Sequence, residues 1–294
     1  MEKSIESGDL FYIENDRLKA EILTPWSTKY NRTRFCHSGF ISGVWLNGRK
    51  YTEKEVLTPP RKPTGGIGLC SEYKCESIEN DSKIGDPWLK IGVGILTRSK
   101  EPWNILDEHR IIGLPTQVHY SNDTAAFDCQ SPLVNGYSYR EKREIQLAEN
   151  TILQTIRLWN TGTKDVLLTE YCHNFVSLAG ATIDENHRMF LPCLVNPETQ
   201  VTANGLLGTR EGASWVETPK GSVSQICHEI RRPDSYSWKL ASTVSNASVS
   251  ETVSFTPSYV VLWSRDYCSC VEICYQFTLH PGESLEWSRK WIFE

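Results

Sequence analysis

No run in this chain of 294 residues is long and apolar enough to suggest a membrane-spanning helix. The longest apolar stretches, such as Ile152 to Trp159, are broken by charge or polarity well short of the roughly 20 residues a span requires. The first thirty residues lack the apolar core of a secretory signal, so a cytoplasmic location is expected. Basic charge is not in excess. Thirty-one Lys and Arg face 36 Asp and Glu, for a net charge of −5, and the electrostatic footprint of a nucleic-acid binder is missing. Helical periodicity is weak throughout, which argues against a bundle. No linker or composition shift divides the chain, so one domain covering residues 1–294 is expected.

What is present suits a large β protein. Hydrophobic residues make up 39% of the chain, enough for a substantial core, and mean hydropathy is −0.40. Ten tryptophans and twelve tyrosines are many for this length. Such rings stack on sugar faces, although most serve as core. Ten cysteines occur without a secretory signal, which reads as reduced, buried thiols. Cys268, Cys270 and Cys274 fit no standard zinc spacing; on a strand they repeat one face.

Short stretches rich in β-branched and aromatic residues, separated by turn chemistry, predict strands. They run from 18 to 23, 40 to 46, 89 to 96, 117 to 120, 125 to 129, 137 to 147, 152 to 159, 166 to 175, 259 to 263, 271 to 279 and 285 to 293. Asn47-Gly48 is a hairpin signal, and Asn160-Thr161-Gly162-Thr163 and His280-Pro281-Gly282-Glu283 are further turns. Strands spread evenly over the chain predict one large antiparallel all-β sandwich.

Two placements carry chemistry. His173 lies in the strand-like segment Tyr171-Cys172-His173-Asn174-Phe175, and Glu272 lies in the apolar run Cys270-Val271-Glu272-Ile273-Cys274. Alternation puts Val271, Ile273, Tyr275 and Phe277 on a core face and Glu272 on the other, among small thiols. His173 shares a face with Tyr171 and Phe175. An imidazole and a carboxylate in buried strands are what proton transfer without a metal requires. Each also has a structural reading, as a core histidine held by a carbonyl or a carboxylate in a salt bridge.

The run Tyr171 to Gly180 resembles the aldose 1-epimerase (galactose mutarotase) segment around its histidine. The strand Val260-Val261-Leu262-Trp263, followed by Cys270-Val271-Glu272 and the turn His280-Pro281-Gly282, is similar to the hexose-phosphate branch of that superfamily. Thr33-Arg34-Phe35, Ser71-Glu72-Tyr73, Lys90-Ile91-Gly92 and Tyr137-Ser138-Tyr139 resemble epimerase-like proteins of the same fold. The resemblance implies a galactose mutarotase-like β-supersandwich with its site in a cleft on one sheet. His173 would be the general acid and Glu272 the general base of an anomer interconversion, with no cofactor and no metal. Arg34, Glu72, Lys90 and Tyr139 would contact the substrate, a small carbohydrate or derivative, with Arg34 and Lys90 suited to a carboxylate, phosphate or sulfonate. Trp103, Trp159 and Trp263 are candidates for ring stacking. A monomer or homodimer is expected, with neither nucleic acid nor membrane as partner.

The chain also departs from the family pattern. The upstream histidine that helps hold the sugar has no counterpart between Gly65 and Cys75, where Glu72 stands instead; His37, which follows Arg34, is a candidate to substitute for it in space, though nothing in the sequence requires it. Cys172 stands where an Asn usually precedes the catalytic histidine. A non-catalytic carbohydrate-binding protein, or a lyase or isomerase using the same cleft, are the alternatives.

Overall fold

A computed structural model describes residues 3–4, 8–55, 64–100, 104, 109–193, 205–209, 211–220, 223–227, 230 and 236–294. Two large antiparallel sheets dominate it. The larger has eleven strands in the order Lys3–Ser4, Thr116–Tyr120, Thr124–Gln130, Tyr139–Ala148, Thr151–Asn160, Ser284–Phe293, Ser248–Val253, Tyr236–Ser242, His187–Phe190, Gly212–Trp215 and Leu206–Thr209. The second runs Val223–Cys227, Tyr259–Ser264, Ser269–Leu279, Val166–Asn174, Leu69–Lys74, Ile41–Leu46, Leu18–Leu23 and Leu10–Glu14, with Arg49–Lys50 pairing onto Ile41–Leu46. A three-stranded sheet, Pro87–Lys90, Gly94–Thr97 and Ile111–Gly113, completes the β structure. Among the described residues the only α-helix is Glu76–Asp81, and no helix is long and apolar enough to cross a membrane.

The alternation legible in the sequence sets the packing. Along Tyr139–Ala148, buried residues alternate with exposed or half-buried ones, as in a strand with one wet face. Inward side chains of both sheets merge into one apolar core, where Ile156, Leu158, Trp287 and Trp291 pack with Leu168, Val271 and Ile273. Strand Val166–Asn174 differs: from Leu168 onward every residue is buried, so both its faces are covered. The expected 89–96 strand is two strands joined by a turn at residues 91–93. Gly92 sits there at φ +77°, with a hypothetical Cβ only 2.4 Å from Cys36 Sγ, so the chain must reverse. Asn47 (φ 48°) and Gly48 (φ 78°) close the hairpin that their sequence signals.

All ten cysteines are buried and none forms a disulfide. Burial raises the thiol pKa of Cys36, Cys75 and Cys268, disfavouring the reactive thiolate. A hydrogen bond with Cys193 lowers the Cys227 pKa instead, so an aromatic disulfide reagent is expected to release little chromophore from native protein in minutes, with Cys227 the first to react. In denaturant it should count ten thiols.

Candidate active site

The sheet carrying Val166–Asn174 brings the two singled-out residues together. Strands Val166–Asn174 and Ser269–Leu279 pair as Glu170↔Tyr275, and past the strand end Val176 bridges Ser269. The same register runs through both contacts, which places His173 opposite Glu272. Residues directly opposite across antiparallel strands share a face. His173 Nε2 is 3.1 Å from Glu272 Oε1, and their side chains are 4% and 8% exposed.

The regular ladder lapses between those two anchor points. There the backbone N–H of Asn174 donates to Cys270 Sγ at 3.0 Å. The same sulfur lies 2.8 Å from His173 Nδ1 and 3.8 Å from Glu272 Oε1. The imidazole thus has a thiol at one nitrogen and a carboxylate at the other. Cys270 looked like a small spacer in the sequence; the structure makes it the Nδ1 partner. No sequence signal distinguished it from its neighbours.

Aromatic rings close over the pair. His173 stacks on Phe175 with ring centroids 4.0 Å apart and planes 9° apart. Phe35 and Trp263 present their edges at 6.1 and 5.7 Å. This burial, followed by the charge of Arg34, holds His173 well below the usual imidazole pKa. Burial lifts Glu272 to about 7, with Glu72 adding to the rise and Arg34 opposing it. A neutral imidazole beside a carboxyl titrating near neutrality is equipped to pass protons.

Arg34, Glu72 and Lys90 are also brought together, but to one another. Tyr171 lies opposite Glu72 across the strands, and its hydroxyl donates to Glu72 Oε2. Arg34 Nε donates to the same oxygen at 2.8 Å. Other Arg34 nitrogens reach Tyr171 Oη and Thr64 Oγ1, each at 3.1 Å. Lys90 Nζ sits 3.5 Å from Glu72 Oε1 and donates to the Tyr73 carbonyl at 2.9 Å. Burial pushes the Glu72 pKa up, yet Lys90, Arg34 and Tyr171 outweigh it and hold the carboxyl below its ordinary value. The two cations are engaged by this network, which flanks the pair and biases its charge.

Tyr139 belongs elsewhere. It stands on the larger sheet, inside the inter-sheet core, where its hydroxyl accepts the Gly92 N–H at 3.1 Å. Its strand enters the opposite sheet, so it does not reach the His173 face. His37 packs against Trp26 at 3.9 Å and Tyr30 at 5.0 Å, not against His173. Trp159 carries Arg157 over its ring on the larger sheet, and Trp103 lies outside the described residues. Trp263, by contrast, is at the site.

Among the described residues, the one group of donors close enough to share a metal ion is His173, Cys270 and Glu272, with ligand atoms within 4.8 Å of one another. Thiol and carboxylate address different ring nitrogens. One ion could not take all three in this arrangement without the ring turning.

Gly66 makes the aromatic cap possible. A Cβ there would fall 2.4 Å from the Phe175 ring and 3.1 Å from Phe35. Gly66→Ala is expected to cost about 1–3 kcal/mol by overpacking. A lower thermal midpoint and altered His173 imidazole NMR shifts, through the displaced Phe175, would report it.

Two large antiparallel sheets in this order form the galactose mutarotase-like β-supersandwich fold. Solved structures of that class align along nearly the whole chain. A galactose mutarotase-like protein from Clostridium acetobutylicum superposes with a TM-score of 0.62 at 12% identity, covering 100% of this chain and 98% of its own. A putative aldose 1-epimerase from Escherichia coli K12 gives 0.58 at 12%, covering 97% and 98%. A galactose mutarotase-like protein from Lactobacillus casei gives 0.57 at 14%, covering 97% and 100%. At these identities the likeness is one of fold. No protein-family model matches the sequence, and no curated protein does.

Proposed function

We propose that this chain, as a single sandwich domain, interconverts the anomers of a sugar or sugar derivative, with His173 and Glu272 exchanging protons and no cofactor required. The observation that supports this best is the 3.1 Å contact between His173 Nε2 and Glu272 Oε1 under an aromatic cap. The chemistry asks for such neighbours. The ring oxygen and the anomeric hydroxyl are bonded to the same carbon, so the groups serving them must also be adjacent. One group takes the hydroxyl proton and the other protonates the ring oxygen. The ring opens, the C1–C2 bond rotates, and closure reverses the roles. Aromatic residues beside the pair offer an apolar wall for a sugar ring.

A binding role without turnover is the second reading, favoured by the nearly complete closure of Phe35, Phe175 and Trp263 over the pair. Saturation-transfer NMR on free, phosphorylated and acidic sugars separates the two. Accelerated anomer exchange on at least one sugar supports the mutarotase, whereas binding with exchange at the uncatalysed rate supports the binding protein and removes the enzyme.

A further inference from the structure

A cavity of ≈550 Å³ opens beside the aromatic cap, and neither His173 nor Glu272 lines it. Its walls come from strands Leu18–Leu23 and Ile41–Leu46, residues 50 and 54, and the 65–67 segment. Lys29, Lys50 and Lys54 line it against a single acidic residue, Glu21. That carboxylate is already engaged: Tyr12 Oη and Ser42 Oγ donate to its two oxygens, each at 2.8 Å. Lys50 makes a long contact to Glu53, at 4.0 Å, and its ammonium lies 5.9 Å from the centroid of the Trp45 ring. Among the described residues, neither Lys29 nor Lys54 forms a salt bridge. Three lysine side chains thus line one concavity in a protein whose net charge is −5.

The wall also includes an aromatic surface. The Trp45 ring lies across the sheet at Gly43, where a Cβ would fall 2.3 Å from the ring. Gly66 forms another part of the wall and backs onto Phe175, which stacks on His173. The cavity is therefore separated from the imidazole by little more than one aromatic ring. A cleft lined by one sign of charge concentrates counter-ions of the other, and its volume lies within the range of small-molecule sites.

We propose that this cavity binds a small organic anion, a phosphate- or carboxylate-bearing carbohydrate, through Lys29, Lys50 and Lys54, with its carbon skeleton against Trp45. The anionic contact falls to these lysines because Arg34 and Lys90 are committed to Glu72. Recognition at the cavity is independent of proton transfer at His173, and binding can be read without turnover.

Calorimetric titration with glucose, glucose 6-phosphate, glucuronate and inorganic phosphate tests it. The charged sugars should bind at least about tenfold more tightly than glucose, and more weakly as salt rises. Lys29→Ala/Lys54→Ala should lose about tenfold or more in affinity for the charged probes, while Lys142→Ala on the other sheet changes nothing. His173→Asn should retain anion binding, which separates failure of this site from failure of the catalytic reading. Inorganic phosphate binding as tightly as glucose 6-phosphate would show that the sugar makes no contact and overturn the carbohydrate reading of the cavity. Equal affinity for glucose and the charged sugars, undiminished binding by the double variant, or no binding of any anion overturns the proposal.

Discussion

Arg289→Met is expected to destabilise the protein by about 3–5 kcal/mol, the usual cost of breaking a buried ion pair from one side. Arg289, Glu170 and Glu251 are all fully buried between the sheets. The guanidinium donates to Glu170 Oε2 at 2.7 Å, to Glu251 Oε1 at 2.8 Å and to the Ile273 carbonyl at 2.9 Å. Glu251 Oε2 accepts from Trp238 Nε1 at 2.5 Å and from Asn174 Nδ2 at 3.0 Å, and Asn174 Oδ1 accepts from Trp291 Nε1 at 3.0 Å. The network thus clamps the strand of His173 from behind, since Asn174 points inward where its neighbour points to the site. Removing the cation leaves two carboxylates in the core with no charge to offset them. Burial already raises the Glu251 pKa despite Arg289. Without the guanidinium the folded-state pKa of Glu251 rises further above its unfolded value. The penalty is then smallest at acid pH and grows as pH rises. Urea denaturation across pH checks this: a variant as stable as wild type at neutral pH, or one whose deficit shrinks as pH rises, contradicts the account.

Local patterns were legible in the sequence and long-range register was not. Alternation along Cys270 to Phe277 separated Glu272 from Val271 and Ile273 correctly, because side-chain period 2 is a property of the strand itself. That Glu272 lies opposite His173 depends on how two strands about a hundred residues apart align, and no local turn fixes that. Leu69–Lys74 escaped notice as a strand because Leu-Cys-Ser-Glu-Tyr-Lys has no β-branched residue and mixes polar with apolar positions. It is buried through five of its six residues, with Phe35 clustered with Cys70 and Arg34 bonded to Glu72. The same gap hid the fate of Arg34 and Lys90: their types suit an anion, but Glu72 reaches them first. For Tyr139 the strand was legible and its sheet was not. Its alternation buries Tyr139, Glu141 and Arg143 on one inward face of the larger sheet. Only topology tells which sheet a given strand joins.

Glu272→Gln and His173→Asn should each reduce catalysed anomer exchange by about 10²–10⁴-fold, the range for losing a positioned acid or base. The pH profile distinguishes this from a merely structural role. Burial lifts Glu272 to about 7 and, with Arg34, holds His173 well below its ordinary value. The shifts diverge, so between the two titrations the touching pair holds one proton and behaves as a unit. Exchange consumes that arrangement, because one member must give a proton while the other takes one. Activity should therefore fall as pH rises through about 7, when the pair loses its proton, and fall again in acid, when it gains a second. Stability falls across the same limb, for a different reason. The folded-state pKa of Glu272 lies above its ordinary value of 4.5, so the wild type loses stability as pH rises from there through about 7. Gln cannot ionise, so Glu272→Gln should be inactive yet at least as stable as wild type above pH 7. An exchange rate that survives either substitution, or a profile flat through neutrality, would remove the pair from the chemistry. A Glu272→Gln protein that unfolds would instead assign the carboxylate to holding the strands together.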